Sequence, residues 1–230
     1  MANLIAATAF FVLIHLLVSG TRLRDVLTAR IGQNAYMGLF SLASLGGLIW
    51  VGLAYAAARP TSASLWDLST GARHGQVALQ LLAMLLIVPG LMTPNPTSVR
   101  QEGALDRPDV VNGMLRITRH PFLWGVAIWA AGHLMANGDP ASLLLFGSML
   151  ALALFGTASI DAKRRRALGP AWEAFASQTS NIPFAAIATG RQTLKLGEIG
   201  MMRPAVAVAV WASPPTIAAS AKARINPMAG

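Results

Sequence analysis

Apolar residues in this chain fall into long unbroken runs separated by short polar stretches. The first run is Ala2 to Ser19, interrupted only by Asn3, Thr8 and His15. The second is Tyr36 to Ala58, closed by Arg59-Pro60, and a weaker third, Val77 to Met92, stops at Pro94 and Pro96. Pro121 to Ala136 and Ala141 to Ile160 follow, the last ended by Asp161 and the basic run Lys163 to Arg166. Runs of 16 to 23 residues match helices crossing about 30 Å of hydrocarbon, and helices satisfy their own backbone polar groups in lipid. The pattern predicts an all-α integral membrane helical bundle of five or six transmembrane helices. The first run lacks a basic leader and a small-residue cleavage site, so it reads as a retained helix rather than a signal peptide. Pro121 suits the first position of a helix, where its missing N–H costs nothing. Asn137-Gly138-Asp139-Pro140 reads as a tight turn joining the fourth and fifth helices.

After Arg166 the pattern weakens. Pro170 to Phe184 carries Trp172, Phe175 and Ile182 between polar residues, which predicts an interfacial amphipathic segment. Pro204 to Trp211 is short for a span, and Ser213 to Gly230 reads as a flexible tail. The expected organisation is a transmembrane domain over 1–191 and a divergent C-terminal segment over 192–230.

Composition agrees with the runs. Only 12% of the 230 residues are charged and mean hydropathy is +0.54, about half the charge of an ordinary soluble domain. That excludes a typical soluble enzyme and a disordered chain. The net charge of +9 is read as topology rather than as a nucleic-acid footprint, because it sits in loops on one side. Those loops hold Arg22, Arg24, Arg30, Arg100, Arg107, Arg116, Arg119, Lys163, Arg164, Arg165 and Arg166, against Arg59 and Arg73 on the other side. The basic side is expected to be cytoplasmic, with the N-terminus opposite. Absence of cysteine removes disulfides, thiolate metal sites, c-type haem attachment and a cysteine nucleophile.

Four histidines concentrate the remaining chemistry: His15 inside the first helix, His74 in a non-cytoplasmic loop, His120 at the start of the fourth helix and His133 near its far end. Intramembrane ionisable residues are functional candidates by default. His15 and His133 suit the axial positions of a haem, the alternative being neutral imidazoles bonded to neighbouring carbonyls. Their Cα depths are expected to differ by about 10 Å, a gap narrowed by side chains that lean toward each other on antiparallel helices. A second constellation, Arg116-Ile117-Thr118-Arg119-His120-Pro121, sets cations beside a helix N-terminus. It reads either as a site for a haem propionate, carboxylate or phosphate, or as a grip on lipid phosphates. Asp161 is placed to pair with Arg119 or Arg116.

Taken together, these residues resemble the NnrU family of membrane proteins. The resemblance rests on His15-Leu16-Leu17 with Arg22 and Arg24, on Gly38 to Ser44, on Gly113 to Gly125, and on Trp129 to Asp139. It implies a bacterial inner-membrane protein of denitrification and nitrogen-oxide metabolism, and in such a membrane the charge asymmetry puts the N-terminus in the periplasm. The plant zeta-carotene isomerase, a relative, holds haem b with two histidines and inverts a cis double bond of a carotenoid. His15 and His133 match its ligand positions and His120 a third histidine. The implied cofactor is haem b, held by His15 and His133 as metal ligands with His120, Arg116 and Arg119 nearby. The implied partners are membrane lipid and either an apolar polyene or a small nitrogen-oxide ligand, with no nucleic acid. One departure is the Ala/Pro-rich stretch after Met201, where the family usually has another hydrophobic helix. A weaker resemblance, through Arg119-His120-Pro121, Asp161 and Gly169-Pro170-Ala171-Trp172, points to membrane methyltransferases that use S-adenosylmethionine, although these usually carry Glu where Asp161 stands. A membrane interaction protein without a cofactor is the remaining reading.

Overall fold

A computed structural model describes residues 1–66 and 69–213. Among these residues all regular structure is helical. Helix α1 spans Ala2–Leu13 and continues as a π-helical turn over Ile14–Ser19. A short α2, Leu23–Ile31, ends at Gly32, whose φ of +82° a side chain would resist. Then come α3, Gln33–Ala58, and α4, Thr70–Met92, the latter capped by Ser69 Oγ accepting from the Ala72 N–H at 3.3 Å. After α5, Met114–Ile117, the pair α6, Pro121–Ala136, and α7, Pro140–Leu168, forms the expected helical hairpin. Asp139 starts α7 by accepting from the Ser142 N–H at 2.9 Å. The chain closes with α8, Pro170–Gln178, α9, Ala185–Ala188, and α10, Met202–Trp211.

Four segments, 2–19, 33–61, 74–92 and 140–168, are long and apolar enough to cross a membrane, and α6 and α10 are shorter apolar helices. On α3, Leu39, Leu42, Leu45, Leu48, Ile49 and Leu53 are each more than half exposed. An apolar surface of this extent belongs in lipid rather than water, and the chain is a multi-pass membrane protein.

Helix α7 is the shared spine. One side of it packs α1 and α3 through Leu4, Ala7, Phe11, Val51, Ala54, Ala58 and Ala141. Its other side packs α6, which is clasped in turn by α4. The α4–α6 crossing is close because Gly125 lacks a side chain: a Cβ there would lie 2.6 Å from Ile87 Cγ1 and 2.9 Å from the Ala83 carbonyl oxygen. Helix α10 packs on α4 and buries Ala207.

The bundle has two distinct ends. Leu65 N–H bonds the Gly138 carbonyl, and Arg59 Nη2 the Asn137 Oδ1 at 2.8 Å, joining the 59–66 and 137–139 turns at one end. At the other, Lys163 Nζ donates to the Ser19 carbonyl at 3.0 Å and His120 meets Asp161 at 2.7 Å. The eleven basic loop residues therefore share an end, as their spacing predicts.

Two expectations change. His74 lies in α4 rather than in a loop, because that helix starts seven residues before the apolar run at Val77. Trp172 and Phe175 do not face headgroups: they are 0% and 2% exposed, packed on Leu115 beneath the bundle. Pro204 to Trp211 lies within α10 against α4. The expected tail, Ser213 apart, lies outside the described residues.

Candidate functional site

Arg116, Arg119 and His120 sit together in sequence, but their side chains serve different partners. The chain leaving α5, extended at Thr118, runs against the turn after α8, with Arg119 N–H on the Ser180 carbonyl and Phe184 N–H on the Ile117 carbonyl. This aims Arg119 and His120 at the end of α7. Arg119 Nε donates to both Asp161 oxygens at 2.9 and 3.0 Å, its Nη2 also bonds Oδ2, and His120 Nε2 reaches Oδ1 at 2.7 Å. The Arg119 and Asp161 side chains are 11% exposed and that of His120 is 1% exposed. His120 Nδ1 is buried without a hydrogen-bond partner. Arg116 points elsewhere, making a two-pronged bond to Glu198 at 2.7 and 3.0 Å and a third to Gln192 at 2.6 Å. Both guanidiniums of the expected anion site are thus neutralised by carboxylates of the chain itself, and the arrangement reads as two clamps that fasten the basic end.

His15 has a different setting. It lies in the π-helical turn, a distortion that recurs at functional sites. Its Nδ1 is 2.7 Å from the Phe11 carbonyl oxygen. A carbonyl only accepts, so Nδ1 carries the proton and the Nε2 lone pair is left for another partner. Histidines that bind metals are commonly oriented in this way. The Phe11 and Phe40 rings, with centroids 4.5 and 5.2 Å away, fix the imidazole plane.

His15 also lines a cavity of about 620 Å³ between the basic ends of α1, α3 and α7 and the 97–102 loop. That lies inside the span of roughly 300–1,000 Å³ typical of small-molecule sites. Tyr36, Met37, Phe40 and Ile160 are part of its apolar and aromatic lining, and Arg24, Arg100, Lys163 and Arg164 are its cations. Sequence reasoning treated these basic residues only as topology anchors and passed over Tyr36 and Ser44. The signal available for them was helical spacing, since Tyr36, Phe40 and Ser44 recur every four residues on one face of α3.

His133 is at the opposite end of the bundle. Its ring stacks on Phe146 at 4.5 Å and meets Trp129 edge-on at 4.9 Å. Two rulers give its separation from His15. Along α3, His15 packs on Phe40, whereas His133 reaches Tyr55 through Phe146; fifteen residues separate these positions, about 22 Å of helix. Along α7, Phe146 marks the level of His133, and Lys163 reaches Ser19, one turn from His15; seventeen residues give about 25 Å. The two imidazoles therefore sit roughly 15–20 Å apart in depth. Axial ligands of one iron must approach within a few ångströms of it, so in this arrangement His15 and His133 do not fit a single haem. His15 alone does fit, with its orientation and a cavity lined by cations.

Comparison with known proteins places the chain. A family model described as "NnrU protein" matches residues 3–219. The 15-cis-zeta-carotene isomerase, chloroplastic, of Arabidopsis thaliana is 28% identical over 177 residues, covering 75% of this chain and 47% of that protein. The protein of the same name from Zea mays is 27% identical over 193 residues, covering 81% and 50%. This chain thus spans about half the length of these curated relatives. No solved structure matches it.

Proposed function

This chain is a member of the NnrU family, and on that premise we propose that it is an intramembrane cis–trans isomerase of an apolar polyene, carrying haem b at His15. The observation that carries the reading is the His15 imidazole, locked by Phe11 with Nε2 free on a cavity bordered by apolar span and cationic rim. The names of the plant relatives support the substrate class. Bound haem, held by His15, would supply a redox-active iron.

The residues of the chain set the conditions. Phe11 and Phe40 hold the imidazole in one plane, which keeps Nε2 directed without an entropy cost on binding. The exposed leucines of α3 line the lipid side of the same helix that walls the cavity, so an apolar chain can enter laterally without crossing water. We further propose that the basic end faces the cytoplasm of a bacterial inner membrane, with the N-terminus periplasmic.

The test is an optical spectrum of the detergent-purified protein, oxidised and reduced, for parent, His15→Ala and His133→Ala, together with chromatographic analysis of cis and trans polyenes from a carotenoid-producing host. The expected result is haem in the parent, its loss in His15→Ala and its retention in His133→Ala, with melting temperatures little changed. Equal haem loss in both variants would overturn the single-histidine site. An unchanged polyene profile with the haem-loaded parent would overturn the isomerase reading.

A further inference from the structure

We infer that the cavity beside His15 is a binding site for an acid-headed amphiphile, its acidic group gripped by Arg24, Arg100 and Lys163 and its apolar body lying along Tyr36, Phe40 and Met37. The inference goes beyond the proposed function: it concerns the same cavity but rests on charge and geometry, not on iron.

Charge pairing at this end of the molecule is otherwise thorough. The buried arginines each have a carboxylate: Arg116 has Glu198, Arg119 has Asp161 and Arg164 has Glu102. Three of the four cations lining the cavity break this rule. Lys163 Nζ, half-buried, reaches a carbonyl, that of Ser19 at 3.0 Å, and no carboxylate within 4 Å among the described residues. Arg100 makes no hydrogen bond or ion pair among the described residues, and its backbone is held at φ +60°. Arg24 has Asp25 only at 4.0 Å, through a carboxylate that is 64% exposed. Glu102, the one acid among the lining residues, is already held by Arg164. Three cations converging on one half-enclosed space without an anion repel one another and lose hydration. A bound acid removes both costs through charge-assisted hydrogen bonds.

The mixed lining of the cavity selects an amphiphile over a bare anion. Besides the cations, its wall is apolar at Met37, Phe40 and Ile160. Within that wall Ser44 Oγ is sealed from solvent without a hydrogen-bond partner, a group that a ligand's polar atom would satisfy. The acid can come from the propionates of a haem or the phosphate of an anionic phospholipid, and the same cations serve either.

Two arms separate these sources, both using the full chain in detergent. In the first, native mass spectrometry compares retention of phosphatidylglycerol with phosphatidylcholine of identical acyl chains. In the second, titration compares haemin with its dimethyl ester, in which both carboxylates are blocked. The site variant is Arg24→Gln with Arg100→Gln, and the control is Arg165→Gln with Arg166→Gln, which removes the same charge from the same end. The acid-bearing ligand should bind at least about tenfold more tightly than its neutral counterpart in one arm, with the preference lost in the site variant and kept in the control. Preference in the lipid arm alone identifies a phosphate and leaves this inference standing, with the haem of the proposed function decided by the His15→Ala spectrum; preference in the haemin arm identifies propionates. Equal binding of acidic and neutral ligands in both arms, or equal loss in site variant and control, would overturn the inference.

Discussion

Replacing Asp161 by Asn should be among the most damaging single-atom changes available in this bundle. The carboxylate accepts from Arg119 on both oxygens and from His120 on one, with Asn181 Nδ2 3.5 Å from the other. Each oxygen faces donors, so whichever way the Asn amide turns, its NH2 meets N–H groups. His120 can relieve one clash by moving its proton to Nδ1, but that atom is buried without a partner. Arg119 cannot give up its charge, and its side chain is 11% exposed. Removing one partner of a buried ion pair costs about 3–5 kcal/mol. For a domain of this size each kcal/mol moves the midpoint by about 2–4 °C, so a fall on the order of 10 °C is expected. The assay is thermal unfolding in detergent at one scan rate, since the unfolding of membrane proteins is readily irreversible. Glu173→Gln is the contrast: its pair with Arg165 is more than half exposed on both sides, and its loss should cost under about 1 kcal/mol. The double variant Arg119→Met with Asp161→Leu should recover much of the loss, because an apolar pair replaces a buried ionic one with little penalty. An Asp161→Asn midpoint within about 2 °C of the parent, below the shift worked from burial, would refute this account of the clamp.

Other expectations use the same preparations. Gly125→Ala should lower stability by about 1–3 kcal/mol, because the new methyl meets the Ala83 carbonyl and Ile87 backbone, whereas Gly46→Ala, with nothing within 4 Å, should be neutral or stabilising; equal midpoints would deny the close α4–α6 crossing. The hydrogen bonds from Arg116 and from Gly113 N–H hold the Glu198 carboxyl well below its ordinary 4.5, at about 2. Its folded value is depressed, so the latch it forms is complete above 4.5 and is lost as pH falls toward 2; protease cutting near residues 192–200 should rise in that window and should be high in Glu198→Gln at neutral pH, and flat cutting in both would count against it. Compartment reporters at Met1 and at residue 105 should label opposite sides, with 105 cytoplasmic, and the reverse labelling would overturn the orientation.

The helices were legible in the sequence because their limits are set locally. Pro121, the Asn137-Gly138-Asp139-Pro140 turn and the Arg59-Pro60 stop coincide with helix ends. Burial beyond the helices was not legible. The amphipathic spacing of Trp172 and Phe175 announces an apolar face, but whether lipid or protein covers it depends on Leu115, far away in the chain. The clamps were half legible. The place of Asp161 at the end of a helix offers Arg119 or Arg116 as its partner without choosing between them, while Glu198 lies in a region with no periodic pattern to place it opposite Arg116. Helix rise and side-chain lean alone give a smaller separation for the two histidines, because their depth depends on how α1, α3 and α6 are each staggered against α7.

That stagger has a consequence for reading any spectrum of this protein. Bringing His15 and His133 to one iron would require α1 and α6 to slide past each other along α7 by about three turns. The slide is resisted at both helices. Lys163 ties the end of α1 to α7, and Asp161, through His120, ties the start of α6 to the same region of α7. Phe146 and Trp129 pack around His133 at the other end. Packed interfaces of this kind switch between discrete arrangements rather than deform continuously, and breaking the buried Asp161 contacts alone would cost about 3–5 kcal/mol. A low-spin spectrum of two imidazoles would accordingly report a rearranged bundle, or a second imidazole supplied from outside this chain. The Asp161→Asn variant separates the two: weakening the tie should favour a bis-histidine form that needs rearrangement within the chain, and should leave one completed from outside unchanged.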